Sequence, residues 1–213
     1  MSDIEILKAD LELVVRDKDD KEIERHEGPS HSWVKNFYQY IFCQCAGIHQ
    51  AQTTYNTHLY DTAGATDTSA SIIPWGFSSA SSDGSWANTL SITGCTIGSG
   101  TGVESFTDYA LGTKIADGTG SGQIQYGLGS FTFSTASAGT ILRNKIDRTF
   151  TNNSGGTVSI SETGLYGRLV WTSLKGNSYF MLNRDTFSAV NVANGNSLYV
   201  SYTIKITLPE AIV

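Results

Sequence analysis

The chain has 213 residues, of which 16% are charged, well below the roughly 25% typical of folded domains. Lysine and arginine total 14 against 20 aspartate and glutamate residues, so the formal net charge is −6. This balance argues against a nucleic-acid binder, which needs a basic surface to neutralise phosphates. No apolar run is long enough to predict a membrane span. The first residues lack the basic start and apolar stretch typical of a secretory leader, so the three cysteines are expected to be reduced thiols.

The first 30 residues carry ten acidic and five basic side chains. Alternation of Leu11, Leu13 and Val15 with polar residues predicts a half-buried strand. The turn-forming residues 17–21 then lead into a second short strand. This region therefore predicts an N-terminal β-hairpin with a solvated, acidic tip.

One short helix is predicted after the break at Gly28-Pro29-Ser30, because apolar residues recur at helical spacing from Trp33 to Phe42. Most faces of this helix are apolar, so it is expected to be buried. Packing within the domain is favoured over packing between subunits. Trp33, Phe37 and Tyr38 are candidate interface residues in the second case.

Residues 49–100 form a segment rich in serine, threonine and glycine, with few charges. Its scattered large side chains argue against disorder, and a structureless loop of this length is unusual within a compact domain. We expect short strands and ordered loops that gain contacts from the main domain or from a neighbouring subunit. Trp75, Phe77 and Trp86 are the candidate interface residues of this segment.

Residues 101–213 alternate apolar and polar residues in several short runs with polar turns between them, which is typical of an antiparallel sheet. Clear strands are predicted over 141–151, 157–161, 178–183 and 200–208. The chain is therefore predicted to be mainly β: an antiparallel, jelly-roll-like β-sandwich with an N-terminal hairpin and one short helix. Its predicted parts are residues 1–48, the insert 49–100 and the sandwich core 101–213, which forms one domain with the N-terminal strands.

No residue pattern indicates catalysis or a cofactor. The histidines fall in no known catalytic motif. Cys43 and Cys45 are separated by one residue, whereas structural zinc sites usually place two between paired cysteines, so no metal is predicted. The glycine-rich segments 98–102 and 118–122 lack the lysine of a phosphate-binding loop and are interpreted as turns or connectors.

The carboxylates of Asp147, Glu162 and Asp185 could form a glycosidase pair, but each has an arginine nearby in the sequence or across a predicted hairpin. Structural ion pairs are favoured instead. A hairpin centred on residues 153–156 would bring Arg148 to Glu162. Arg184 and Asp185 are the other ion-pair candidates, and no catalytic residue is assigned.

Several segments between residues 97 and 208 resemble a group of small structural proteins encoded by tailed bacteriophages and related viruses. They are Phe106-Thr107-Asp108-Tyr109-Ala110-Leu111-Gly112, Gly122-Gln123-Ile124-Gln125-Tyr126, Arg148-Thr149-Phe150-Thr151-Asn152-Asn153-Ser154-Gly155-Gly156, Glu162-Thr163-Gly164-Leu165-Tyr166, Arg184-Asp185 and Ser201-Tyr202-Thr203-Ile204-Lys205-Ile206. Residues 32–37 add a weaker similarity, and residues 49–96 add none.

The resemblance implies a non-enzymatic virion protein that is made in the host cytoplasm. Within that class a capsid decoration or cement protein is favoured over a neck, tail or fibre subunit. Its implied partners are copies of itself, as a trimer or another symmetric oligomer, and the major capsid protein or other virion proteins, with no nucleic acid and no membrane. A glycan- or receptor-binding module on the particle surface is the alternative from another class.

Overall fold

A computed structural model describes residues 7–30, 32–46, 59–66, 94–136, 141–170 and 177–207. These ranges are mainly β-structure. The elements in chain order are β1 (Leu7–Arg16), β2 (Glu22–Ser30), α1 (Lys35–Ala46), β3 (Gly94–Gly98), β4 (Gln125–Ala136), β5 (Ile141–Thr151), β6 (Val158–Val170), β7 (Asn177–Val192) and β8 (Ser197–Thr207).

The strands form two antiparallel sheets that pack against each other. The larger sheet has the order β2-β1-β8-β5-β4, and the smaller has the order β3-β6-β7. Their facing sides meet in one apolar core, to which β5 contributes Ile146 and Phe150, β6 contributes Ile160, and β8 contributes Val200. Burial of each such side chain stabilises the fold by about 1.5–3 kcal/mol. The predicted antiparallel β-sandwich is confirmed.

The N-terminal hairpin belongs to the larger sheet. Its first strand, β1, pairs with β8 along its whole length, from Leu7 opposite Ile206 to Arg16 opposite Ser197. Among the described strands, the second strand, β2, pairs with β1 alone and forms an outer edge. The tip is a tight turn in which the Asp17 carboxylate accepts hydrogen bonds from the backbone N–H groups of Asp19 and Lys21.

The predicted hairpin between β5 and β6 is wrong. Both edges of β5 are occupied by β4 and β8, and both edges of β6 are occupied by β3 and β7. The turn at residues 152–157 therefore carries the chain from one sheet to the other. Asn152 holds this crossing, since its side-chain amide donates to the carbonyl groups of Gly156 and Val192. Turn residues alone do not specify which strands pair.

The strand predicted at 178–183 is longer than expected, because β7 runs from Asn177 to Val192. The register of its pairing with β6 shifts at two points, between Ile160 and Glu162 and between Leu165 and Tyr166. The polar residues Asn183, Arg184 and Asp185 in the middle of β7 are buried.

An outer layer, comprising residues 32–46, 59–66 and 99–113, contacts the smaller sheet. Helix α1 packs against β7. A second apolar cluster joins this layer to the sheet, with Val34 and Leu111 contacting Tyr166 and Met181. Among the helices of the described ranges, none has the length and apolar character needed to cross a membrane.

Candidate interaction surface

The central feature of the outer layer is the fully buried carboxylate of Glu162 on β6. It accepts hydrogen bonds from the backbone N–H groups of Gly100 (2.9 Å), Gly112 (3.0 Å) and Thr113 (2.7 Å). A Cβ atom at Gly98 or Gly100 would collide with the carboxylate, so both positions require glycine. The segment 98–102 thus helps to form an anion cradle, occupied by a carboxylate of the same chain.

Arg184 on β7 completes this cradle. Its guanidinium group lies 2.9 Å from Glu162 Oε2, and it also donates to Asp108 Oδ2 at 2.8 Å. Burial disfavours its charge, but the hydrogen bonds to Asp108 and Glu162 outweigh that cost and raise the pKa of Arg184. One buried cation therefore ties the sheet to the loop that carries Asp108.

The segment 99–113, called here the anchored loop, is fastened at further points. Its Glu104 accepts a hydrogen bond from the backbone N–H of Thr186 at 2.6 Å. Its Leu111 N–H donates to the hydroxyl group of Tyr166 at 2.8 Å, and burial raises the pKa of that hydroxyl. The carbonyl of Phe106 accepts from the N–H of Lys35, the first residue of α1, at 2.8 Å. The loop is thereby linked to both the sheet and the helix.

The anchored loop and α1 together present an aromatic patch, defined as Trp33, Phe37, Tyr38 and Phe106. Trp33 stacks on Phe37 with ring centroids 4.1 Å apart, Phe37 meets Tyr38 edge-on at 5.6 Å, and Tyr38 lies 5.8 Å from Phe106. Phe37 is buried, whereas Tyr38 and Phe106 are 53% and 56% exposed. Ile41, also exposed, lies one turn further along the same side of α1.

Exposed aromatic side chains supported by buried ones are typical of protein-binding sites. Of the predicted interface residues, Trp33 and Phe37 form the inner part of the patch and Tyr38 forms its exposed part. Trp75, Phe77 and Trp86 lie outside the described residues. Sequence reasoning missed Phe106, because its exposure depends on how the anchored loop is fastened.

A cavity of about 320 Å³ opens beside the patch. Asn36 fixes its wall, since its side chain donates to the carbonyls of Tyr60 and Met181 and accepts from the N–H of Tyr60. The ammonium group of Lys35 lies 5.5 Å from the centre of the Tyr60 ring. The lining residues are Lys35, Asn36, Tyr60, Gly64, Thr107, Asp108 and Tyr109.

The structure brings Glu162 together with Arg184 and not with Arg148, so the predicted Arg148–Glu162 pair is wrong. Arg148 lies in the larger sheet and donates to the carbonyl of Cys95 at 3.0 Å. Its burial lowers its pKa. Asp185, adjacent to Arg184, accepts a hydrogen bond from the hydroxyl of Ser30 at 2.7 Å. The ion pair depends on β6 lying beside β7, which the local sequence does not specify.

Within the described part of the chain, no three His, Cys, Asp or Glu residues are grouped so that they could hold a metal ion. The side chains of Cys43 and Cys45 lie outside that part. No protein-family model, curated protein or solved structure matches this chain.

Proposed function

We propose that the protein is a non-enzymatic structural component of a virion, and within that class a capsid decoration or cement protein that acts as a symmetric oligomer. The observation that carries this proposal is the aromatic patch on a loop fastened from beneath by a buried ion pair. Segments within residues 97–208 resemble phage structural proteins, and this resemblance is the reason for proposing that the protein acts in a virus particle. The patch supplies the means of attachment.

The construction of the patch suits attachment to another protein. A loop already held by Glu162, Arg184 and Glu104 loses little conformational freedom when it binds, which lowers the entropic cost of association. Residues 36–60 contain no Asp, Glu, Lys or Arg, so contact with this side of α1 desolvates no ions of that segment. Tyr38 and Phe106 would then be the central contacts of the interface.

Attachment can be tested with variants of the patch and emptied shells of the particle that carries this protein. We expect Tyr38→Ala and Phe106→Ala each to weaken binding about thirtyfold, because central aromatic contacts contribute about 2 kcal/mol or more. Ile23→Ala is the matched control, since Ile23 on β2 is also 53% exposed but lies outside the patch. Equal binding by all three variants would contradict the role of the patch.

The position in the particle can be tested by labelling. Antibodies to the purified chain should decorate the whole shell, with many copies per particle, if it is a cement protein. Labelling at a single vertex would instead identify a neck, tail or fibre subunit. Absence of the chain from purified particles would reject the virion proposal.

The cavity between Tyr60 and Tyr109 favours a glycan-binding module as the second candidate function. Saccharides are bound by tyrosine rings together with polar side chains, and the cavity offers the rings of Tyr60 and Tyr109 and the hydroxyl group of Thr107. A surface polysaccharide of the host should then raise the melting temperature of the parent chain but not that of Tyr109→Ala. No shift with a panel of host polysaccharides would reject this function.

A further inference from the structure

The two edge strands of the larger sheet differ in how they are protected. Edge strand β2 carries Glu22, Glu24 and Glu27 together with Pro29, and such residues discourage a further strand from pairing. Edge strand β4 has the sequence Gln-Tyr-Gly-Leu-Gly-Ser-Phe-Thr-Phe-Ser-Thr-Ala, which contains no charge and no proline. Proteins rarely leave an edge of this kind open to solvent. Strand β4 is therefore the edge that is suited to pairing.

The backbone of β4 is regular over most of its length. A bulge interrupts its pairing with β5 between Tyr126 and Gly129, where Gly127 approaches the carbonyl of Thr149 too closely for a Cβ atom. From Gly129 to Ala136 every residue pairs in sequence with β5. This part spans about 27 Å. In the described ranges no strand pairs with its other edge.

The sequence of this regular part is self-complementary. Residues 130–134 read Ser-Phe-Thr-Phe-Ser in both directions, with Thr132 at the centre. If two copies pair antiparallel about Thr132, position 130 lies opposite 134, position 131 opposite 133, and Thr132 opposite itself. Paired hydroxyl residues and paired aromatic residues across antiparallel strands are both stabilising. Ser130, Thr132 and Ser134 are exposed and lie on the outward side of the strand.

We propose that β4 pairs antiparallel with β4 of a second copy of this chain, about a two-fold axis at Thr132, and joins the two larger sheets into one. The palindrome selects a second copy as the occupant, because a two-fold axis places identical residue types opposite each other. The absence of charge on β4 means that this pairing opposes no like charges. The inference rests on the self-association that is part of the proposed function, but it does not require the protein to be a component of a virion.

Single cysteines test the register directly. Thr132→Cys should form a disulfide-linked dimer under mild oxidation, because directly opposed residues in antiparallel strands have Cα atoms about 4.5–5.5 Å apart. Ser130→Cys and Ser134→Cys should each form none, since their equivalent atoms would be about 13 Å apart. A mixture of those two variants should cross-link. The unsubstituted chain, with its three native cysteines, gives the baseline, and peptide mapping identifies the bond.

A charge at the centre of the edge gives a second, independent measurement. Thr132→Lys places two lysines opposite each other across the axis, so it should raise the dimer dissociation constant about tenfold or more in sedimentation equilibrium. Thr157→Lys is the matched control, because Thr157 is also exposed but lies outside β4. Circular dichroism of each variant checks folding.

The outcomes separate this inference from the proposed function. If Thr132→Lys remains oligomeric and Thr132→Cys forms no cross-link, the chain associates through another surface. That result overturns the inference but leaves the proposed function standing. A parent chain that is monomeric at about 100 μM overturns the inference and the self-association. A dimer through β4 that is absent from virions supports the inference and rejects the proposed function.

Discussion

Replacing Glu162 by alanine removes the acceptor at the centre of the outer layer. Three backbone N–H groups and one side of the Arg184 guanidinium group would lose their partner. Arg184 keeps its bond to Asp108, so its charge is not left wholly unpaired. Loss of one partner from a buried ion pair costs about 3–5 kcal/mol. We expect a loss of that size in the free energy of unfolding.

The conservative variant Glu162→Gln separates charge from shape. A glutamine carbonyl can still accept from Gly100 and Thr113, but its amide N–H groups would face the donors of Gly112 and Arg184. We expect a smaller loss, about 2–3 kcal/mol, since hydrogen bonds to a charged group contribute about 1.5–3 kcal/mol. This geometry predicts that the free energy of unfolding is lowest for Glu162→Ala, intermediate for Glu162→Gln and highest for the parent chain.

Urea unfolding followed by tryptophan fluorescence measures these losses, and melting temperatures should fall by about 10 °C for the alanine variant. Glu27→Ala is the control, because its ion pair with Arg25 is exposed and contributes little. Hydrogen exchange gives the local readout: the amides of Gly100, Gly112 and Thr113 should lose protection in Glu162→Ala. If that variant unfolds within about 1 kcal/mol of the parent and keeps those amides protected, the anchoring of the loop by Glu162 is refuted.

Two further expectations concern the cradle and the buried acids. Gly100→Ala places a methyl group against the Glu162 carboxylate and should destabilise the fold by about 1–3 kcal/mol, whereas Gly156→Ala, which meets nothing within 4 Å, should leave urea unfolding unchanged. Burial raises the pKa of Cys95 from 9.0 to about 12 and raises that of Tyr166 as well. Because the unfolded chain releases these protons first, the contribution of these two groups to stability should fall as pH rises above about 9 for Cys95 and above about 10 for Tyr166, by up to about 1.4 kcal/mol per pH unit for each group. Unchanged urea midpoints between pH 8 and pH 11 would contradict the assigned burial.

The sequence predicted those strands whose side chains alternate between a core and a solvated face. Strand β5 has the predicted bounds, and the inward positions Val200, Tyr202 and Ile204 of β8 are buried. Pairing was harder to predict, because it depends on contacts between distant segments. The turn at 152–157 has residues typical of a hairpin, yet the strands on either side of it do not pair with each other. Instead, β5 pairs with β8 and β6 pairs with β7.

The candidate site could be predicted only in part. Glu162 and Arg184 were recognised as ion-pair candidates, because charged residues inside strands must find partners. Their pairing with each other follows from β6 lying beside β7, which is a long-range property. The glycine-rich segment 98–102 was interpreted as a turn or connector, whereas it helps to form an anion cradle whose anion is a side chain 62 residues away from Gly100. Such a ligand leaves no motif in the local sequence.

The distribution of charge connects the two proposed interfaces. Edge β2 is acidic, whereas β4 and the part of α1 that follows Lys35 contain no charged residue. The aromatic patch lies over the smaller sheet and β4 lies at an edge of the larger one, so the two surfaces can be occupied together. Pairing through β4 would give each assembly two patches, and the second attachment would then be intramolecular and favoured by a high effective concentration. Thr132→Lys should therefore weaken attachment to shells even though its aromatic patch is intact, whereas Tyr38→Ala should weaken attachment without changing the dimer dissociation constant.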